Sequence, residues 1–126
     1  MVSLAHVDQT QKIYIPWETS GQLAARVART GANLWVESQV PHTCAQMLNL
    51  VGGANWELHI TDPVKSPRAI KQGKLVQFDT AICFPPMGVK YPNEICHDDL
   101  WERFTEKTQV GNVLQIRHLL AQTQGL

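Results

Sequence analysis

Hydrophobic residues follow two different spacings along the chain, and each spacing predicts a different element. Short apolar runs predict β-strands, and apolar residues that recur every three or four positions predict helices. The predicted strands cover residues 12–15, 34–37, 56–60 and 78–84. The predicted helices cover residues 22–30, 41–51, 100–104 and 110–120. Strands that alternate with helices are typical of an α/β domain whose mostly parallel sheet is covered on both faces.

Prolines and glycines separate these elements. Pro16 ends the first strand, Gly31 follows the first helix as a C′ residue, and Pro85 follows the fourth strand. Residues 63–74 and 87–99 read as a loop and as an irregular segment. Four apolar residues share one face of the last predicted helix: Val113, Ile116, Leu119 and Leu120.

Length and charge limit the classes of function. A chain of 126 residues has room for one domain, and a charged fraction of 17% is too low for a disordered tail. Eleven basic residues balance eleven acidic ones. The zero formal charge excludes nucleic-acid binding by overall electrostatics, so any such contact needs a local patch or another subunit.

The location of the chain is predicted from its apolar runs and its cysteines. No apolar run approaches the roughly 20 residues that cross a bilayer, and polar residues near the start exclude a signal peptide. Three widely spaced cysteines suit reduced thiols in a cytoplasm. Cys96 and His97 fit no common zinc spacing, so we expect no metal site.

Ligands of parallel sheets bind at the carboxyl ends of the strands. Those ends predict four candidate positions: residues 16–21, Glu37, Asp62 and residues 84–87. Each has an ordinary alternative. Residues 19–21 could form a simple turn, and Glu37 could be a solvated acid or cap a helix. Asp62 could form an Asx-turn before a proline.

Five segments at these positions carry a family resemblance. The loop 15–21 reads Ile-Pro-Trp-Glu-Thr-Ser-Gly beside the pattern Asp-Pro-x-Cys-Gly-Ser-Gly, and Glu37 matches an acid that ends the second strand. Residues 47–52 match a Met-Asn-Leu…Gly helix, and Asp62 matches an Asp that ends the third strand. Residues 78–88 match Phe-Asp-x-x-x-x-Asn-Pro-Pro-Phe-Gly. In this order they resemble the adenine-specific DNA methyltransferase domain of type I restriction–modification modification subunits, over most of the chain.

The resemblance implies a Rossmann-like fold, with residues 1–126 as a single partial domain that ends after the fourth strand and its helix. It implies S-adenosylmethionine as the cofactor, with Glu37 on the ribose hydroxyls and Asp62 on the adenine amino group. The implied cofactor-binding residues are Pro16, Thr19, Ser20, Gly21, Glu37 and Asp62. The implied base-binding residues, where the family orients the amine of a flipped adenine, are Phe84, Pro85, Pro86 and Met87.

The chain departs from the family pattern at central positions. Ile15 replaces the first Asp of the loop pattern, and Thr19 replaces a loop glycine. Phe84 replaces the catalytic Asn, and Met87 replaces the stacking aromatic residue. Phe84 has no side-chain acceptor for an amine, so we expect no catalysis and weak or absent cofactor binding. Residues 84–87 could also be kept only for packing. Trp17 lies inside the matched loop and is a candidate to fill the cofactor pocket.

These departures predict a degenerate, partial methyltransferase domain of a restriction–modification protein that contacts DNA only through its parent complex. The alternative is a non-catalytic interaction module that docks on a modification or specificity subunit, or on itself through an open sheet edge. Four basic residues in the loop 63–74 could touch phosphate, although a solvated loop is the simpler reading: Lys65, Arg68, Lys71 and Lys74.

Overall fold

A computed structural model describes residues 12–51, 55–92, 95, 99–104 and 108–123 of the chain. Its strands are β1 (Lys12–Ile15), β2 (Asn33–Ser38), β3 (Trp56–Ile60), β4 (Ile70–Lys71), β5 (Lys74–Leu75) and β6 (Thr80–Ala81). Its helices are α1 (Gln22–Ala28), α2 (Pro41–Val51) and α3 (Gly111–Gln122). No helix in these ranges is long and apolar enough to cross a membrane.

Four of the strands form one parallel sheet in the order β3-β2-β1-β6. In the register, Tyr14 of β1 lies between Trp35 of β2 and Ala81 of β6. The main apolar cluster contains Ile13 and Ile15 of β1 together with residues of α1 and α2. The α/β prediction, with a parallel sheet of about four strands and flanking helices, is therefore confirmed.

The fourth strand is shorter than predicted. Only Thr80 and Ala81 form β6, against a prediction of residues 78–84. Its ladder partner β1 is itself short and is followed by Pro16, which has no N–H to donate. The Ile82 N–H still donates to the Tyr14 carbonyl at 2.9 Å, and the apolar run leaves the sheet after it.

Two further predictions for the second half are wrong. Residues 63–74 are not a plain loop, because β4 and β5 form an antiparallel hairpin in which Lys71 faces Lys74. Residues 100–104 do not form a helix. Glu102 has a φ of 52°, and the Arg103 N–H donates to the Asp99 side chain, so the helical hydrogen-bond pattern is broken.

Helix α3 buries a different face from its apolar one. Ile116 and Leu120 are exposed, whereas five residues at helical spacing are buried: Gly111, Leu114, Gln115, His118 and Gln122. The two buried glutamines each donate to a backbone carbonyl, whereas Gln122 Oε1 has no partner among the described residues. Gln115 donates to the Pro86 carbonyl at 3.2 Å, and Gln122 donates to the Ala69 carbonyl at 3.1 Å. These hydrogen bonds offset the burial of polar groups and orient α3 on the sheet.

Candidate functional site

A cleft of about 210 Å³ lies at the carboxyl ends of β1, β2 and β6. It lies where β1 has β2 on one side and β6 on the other, the position at which parallel sheets bind ligands. The loop after β1, the residues after β2 and the segment after β6 all line it: Trp17, Glu18, Thr19, Gln39, Val40, Phe84 and Pro86. The structure thus brings two of the four predicted positions, residues 16–21 and 84–87, to this cleft. Glu37 is buried and does not line it, and Asp62 is connected to it through a hydrogen bond with Trp17.

Glu18 occupies the backbone donors of the loop after β1. Its two carboxylate oxygens accept hydrogen bonds from the N–H groups of Thr19 at 2.9 Å and Ala24 at 2.8 Å. Glu18 is buried, so this carboxylate belongs to the loop and the start of α1. A cofactor that approached the same N–H groups would have to displace it.

Gly21 has a packing role in the same loop. Its φ is 86°, and a Cβ added there would lie 2.9 Å from the Cα of Cys44 in α2. The glycine therefore allows the loop to approach the backbone of α2. Of the other predicted loop residues, Pro16 is buried, Thr19 is exposed, and the Ser20 hydroxyl accepts a hydrogen bond from the Gln22 N–H.

The carboxylate of Glu37 is fully buried and is held by two other side chains. The Tyr14 hydroxyl donates to Oε1, and the Trp35 indole donates to Oε2 at 3.2 Å. Burial raises the pKa of Glu37 to about 7, because an ionised carboxylate loses its hydration there. The predicted contact of Glu37 with ribose stays a prediction, and it requires the carboxylate to leave this position.

A buried hydrogen-bond chain continues from Tyr14 to α3. His118 Nε2 lies 2.7 Å from the Tyr14 hydroxyl, and His118 Nδ1 lies 3.0 Å from Arg103. Because arginine only donates, Nδ1 accepts and Nε2 carries the proton toward Tyr14. Burial, and then the charge of Arg103, lower the pKa of His118 to about 3, so the imidazole is neutral. Tyr14, whose pKa burial raises well above its usual value, keeps its proton for Glu37.

Arg103 ends this chain with all five guanidinium N–H groups paired. It donates twice to Asp99, with the shorter bond at 2.7 Å, and once each to the carbonyls of Pro63 and Val64. The fifth donor is the one that meets His118. The chain Asp99–Arg103–His118–Tyr14–Glu37 therefore joins the loop after β3 and helix α3 to the centre of the sheet.

Asp62 is also engaged. Its Oδ1 accepts from the Trp17 indole at 3.3 Å and from the Val64 N–H at 3.1 Å, and its Oδ2 accepts from the Tyr91 hydroxyl at 2.7 Å. The Val64 bond is the Asx-turn contact expected from the sequence. Trp17 is buried with a φ of 56°, and its ring packs edge-on against His118. The indole thus lies in the loop that the resemblance assigns to a cofactor.

The segment after β6 presents apolar side chains to solvent. Phe84 is 82% exposed and Met87 is 80% exposed, and Phe84 lies at the rim of the cleft. The Pro86 carbonyl accepts from Gln115 and from Asn112, so α3 already uses that acceptor. The Pro85 side chain is half-buried. No described residue of this segment offers a side-chain acceptor to an amine.

Metal binding and thiol chemistry find no support in the described ranges. No group of three or more His, Cys, Asp or Glu side chains there could hold a metal ion. Burial raises the pKa of Cys44 to about 12 and that of Cys83 to about 11, so both thiols stay protonated at neutral pH. Cys96 and His97 lie outside the described residues.

Comparison with solved structures agrees with this architecture. The chain superposes with a TM-score of 0.64 on the crystal structure of the type I restriction–modification system methyltransferase subunit from Streptococcus thermophilus, at 14% sequence identity. The match covers 96% of this chain and 29% of that subunit. The chain has a methyltransferase-like fold. No family model matches it, and no curated protein matches it in sequence.

The resemblance seen in the sequence is thus confirmed at the level of the fold, and the cofactor remains to be tested against the residues. Three features of this site oppose S-adenosylmethionine. The side chains of Glu18 and Trp17 already use the hydrogen-bonding groups around the loop, and Glu37 has no exposed atom. The cleft is also smaller than typical small-molecule sites, which measure about 300–1,000 Å³. In this arrangement the residues do not fit the cofactor.

Sequence reasoning missed the residues that hold the site closed. The sequence pattern places Tyr14 in a strand and indicates no role for His118 or Arg103. One signal was present: Gly111, Leu114, Gln115 and His118 follow helical spacing and could have been recognised as a second face of α3. The pairing of Arg103 with Asp99 also had a signal in its i, i+4 spacing, although a turn and not a helix brings the two side chains together.

Proposed function

We propose that this chain is a degenerate methyltransferase-like domain of a restriction–modification protein, that it transfers no methyl group, and that it acts by docking on another subunit. The observation that carries the proposal is the internal occupation of the cofactor position. Glu18 accepts from the N–H groups of the loop, Trp17 donates to Asp62, and Tyr14 donates to Glu37. The resemblance assigns these same groups to S-adenosylmethionine.

The base-binding segment supports the same proposal. The family's reaction needs an acceptor at the position of Phe84 to hold the target amine, and phenylalanine has none. Loss of one orienting hydrogen bond of this kind commonly costs about 10²–10³ in rate. The Pro86 carbonyl is engaged by Gln115 in α3. The segment therefore favours contact with an apolar partner surface over catalysis.

Docking is supported by the apolar side chains that the fold leaves in solvent. Phe84 and Met87 are each about four-fifths exposed, which is unusual for large apolar residues unless a partner covers them. The strand β6 is at the edge of the described sheet, where a second copy or another subunit could pair. A modification or specificity subunit is the partner that the resemblance suggests.

Titration calorimetry with S-adenosylmethionine tests the cofactor part. We expect no heat of binding with the natural chain. We expect measurable binding after Trp17→Gly, which removes one of the two hydrogen bonds to Asp62 Oδ1, widens the cleft and tolerates the positive φ. A dissociation constant in the low micromolar range for the natural chain, about −8 kcal/mol, together with its loss in Glu37→Ala, would refute the proposal.

Methyl transfer and docking need their own assays. Incorporation of tritiated methyl groups into mixed-sequence duplex DNA should stay at background, also after Phe84→Asn with Met87→Phe, because the loop remains occupied. Clear turnover by the natural chain would contradict the proposal. Light scattering with and without a modification subunit tests docking, with Phe84→Ser expected to weaken the complex and the exposed Glu57→Gln as the matched control. A clean monomer in both samples would refute the docking role.

A further inference from the structure

A second cleft is lined by residues that differ from those of the candidate site. It is an open depression of about 470 Å³ between the β4–β5 hairpin, the turn at residues 100–102 and the end of α3. Its lining residues are Gly73, Lys74, Leu75, Gln77, Leu100, Trp101, Glu102 and Ala121. It combines a cation on one wall with an indole ring on another.

The hairpin concentrates positive charge at its tip. Lys71 and Lys74 are direct cross-strand partners in the ladder, and the turn between them contains Gln72 and Gly73, both with positive φ. Like charges in this arrangement repel and destabilise a hairpin. Both lysines are exposed, and no ion pair to either is present within the described ranges. An anion placed between them would relieve that repulsion.

The opposite wall supplies an aromatic surface. Trp101 lines the cleft, and the guanidinium of Arg103 lies 5.6 Å from its ring centroid. Leu100 beside it is 83% exposed. Indole rings bind nucleobases by stacking with little dependence on sequence. Glu102 is the acid of this wall and opposes an anionic ligand, so the phosphates belong on the hairpin side.

From this geometry we infer that the cleft binds single-stranded nucleic acid, with phosphates on Lys71 and Lys74 and a base against Trp101. Zero net charge does not oppose this, because the cations are local and exposed. The inference does not depend on the proposed function. Failure of one leaves the other standing, since the cleft shares no residue with the candidate site.

Fluorescence anisotropy with a labelled oligothymidylate of about 15 nucleotides tests the inference between 50 and 200 mM NaCl. Two phosphate contacts on a single strand predict a slope of log K against log salt of about −1.4. Lys71→Gln with Lys74→Gln should bring the slope near zero. Trp101→Leu should lower affinity about tenfold and leave the slope unchanged.

Controls separate this site from general charge effects. Lys90→Gln removes one exposed positive charge elsewhere and should leave binding unchanged, whereas Glu102→Gln should strengthen it. The lysine variants should unfold at the same temperature as the natural chain or higher, because a like-charge pair is removed. Absence of binding at 50 mM NaCl, or equal losses in Lys90→Gln, would overturn the inference. Equal binding of a duplex or of polyglutamate would do so as well, and polyglutamate would point to an acidic protein partner.

Discussion

Two buried groups on either side of Tyr14 should make stability depend on pH in opposite directions. The pKa of Glu37 is raised from 4.5 to about 7, and the pKa of His118 is lowered from 6.5 to about 3. Replacing either residue, by Glu37→Gln or His118→Gln, leaves the pH dependence of stability from the other residue uncompensated. The pair therefore offers a direct test of the buried hydrogen-bond chain.

The sign of each contribution follows from proton binding. Between pH 4.5 and 7 the folded chain holds a proton on Glu37 that the unfolded chain has lost, so the stability from Glu37 falls as pH rises. Between pH 3 and 6.5 the unfolded chain protonates His118 and the folded chain does not, so the stability from His118 rises with pH. Each slope is about 1.4 kcal/mol per pH unit, and the two cancel between pH 4.5 and 6.5.

Urea unfolding followed by circular dichroism measures this, with each variant compared with the natural chain. From pH 4.5 to 6.5, His118→Gln should lose about 3 kcal/mol relative to the natural chain, and Glu37→Gln should gain about 3 kcal/mol. Because Tyr14 loses a well-matched partner, Glu37→Gln should be less stable than the natural chain by about 1–3 kcal/mol at pH 4.5, and His118→Gln by a similar amount at pH 6.5.

Exposed residues of the same types provide the controls. His42→Gln and Glu57→Gln replace exposed residues outside the buried hydrogen-bond chain, and their unfolding curves are the reference for the buried variants. Parallel curves for the natural chain and both buried variants would refute the reasoning. They would show that neither proton differs between the folded and unfolded states.

Three further predictions concern packing and pairing. Gly21→Ala should destabilise the fold by about 1–3 kcal/mol more than Gly73→Ala, because both glycines have positive φ but only Gly21 lies against the backbone of Cys44. Urea unfolding midpoints measure this difference, and equal losses of stability in the two variants would contradict the prediction. Tyr14→Phe should lower the free energy of unfolding by about 3 kcal/mol, since it leaves buried groups of Glu37 and His118 unpaired. A decrease of less than about 0.5 kcal/mol would count against the hydrogen-bond chain. Cys44 should resist a thiol reagent at pH 7.5 in the folded chain and react in urea, and rapid reaction without urea would show that it is not buried.

The spacing of hydrophobic residues in the sequence predicted most of the strands and helices of the fold. The runs 12–15 and 56–60 and the helical spacing of 41–51 match β1, β3 and α2, because buried parallel strands and their covering helices need nearly continuous apolar residues. The order of these elements already indicated a parallel sheet. Two of the predicted positions, residues 16–21 and 84–87, also line one cleft, since the carboxyl ends of parallel strands lie at the same edge.

Tertiary contacts decided everything that depends on which polar groups meet. The apolar stripe of α3 with Ile116 and Leu120 lies outward, because hydrogen bonds from Gln115 and His118 fit the interior. Glu37 stands at the predicted strand end, yet its carboxylate faces Tyr14, which lies beside it in the sheet and 23 positions away in the chain. Hydrophobic spacing reports how much of a residue is buried. It does not report the partner of a polar atom, because that partner comes from a distant segment whose approach is set by the packed sheet as a whole.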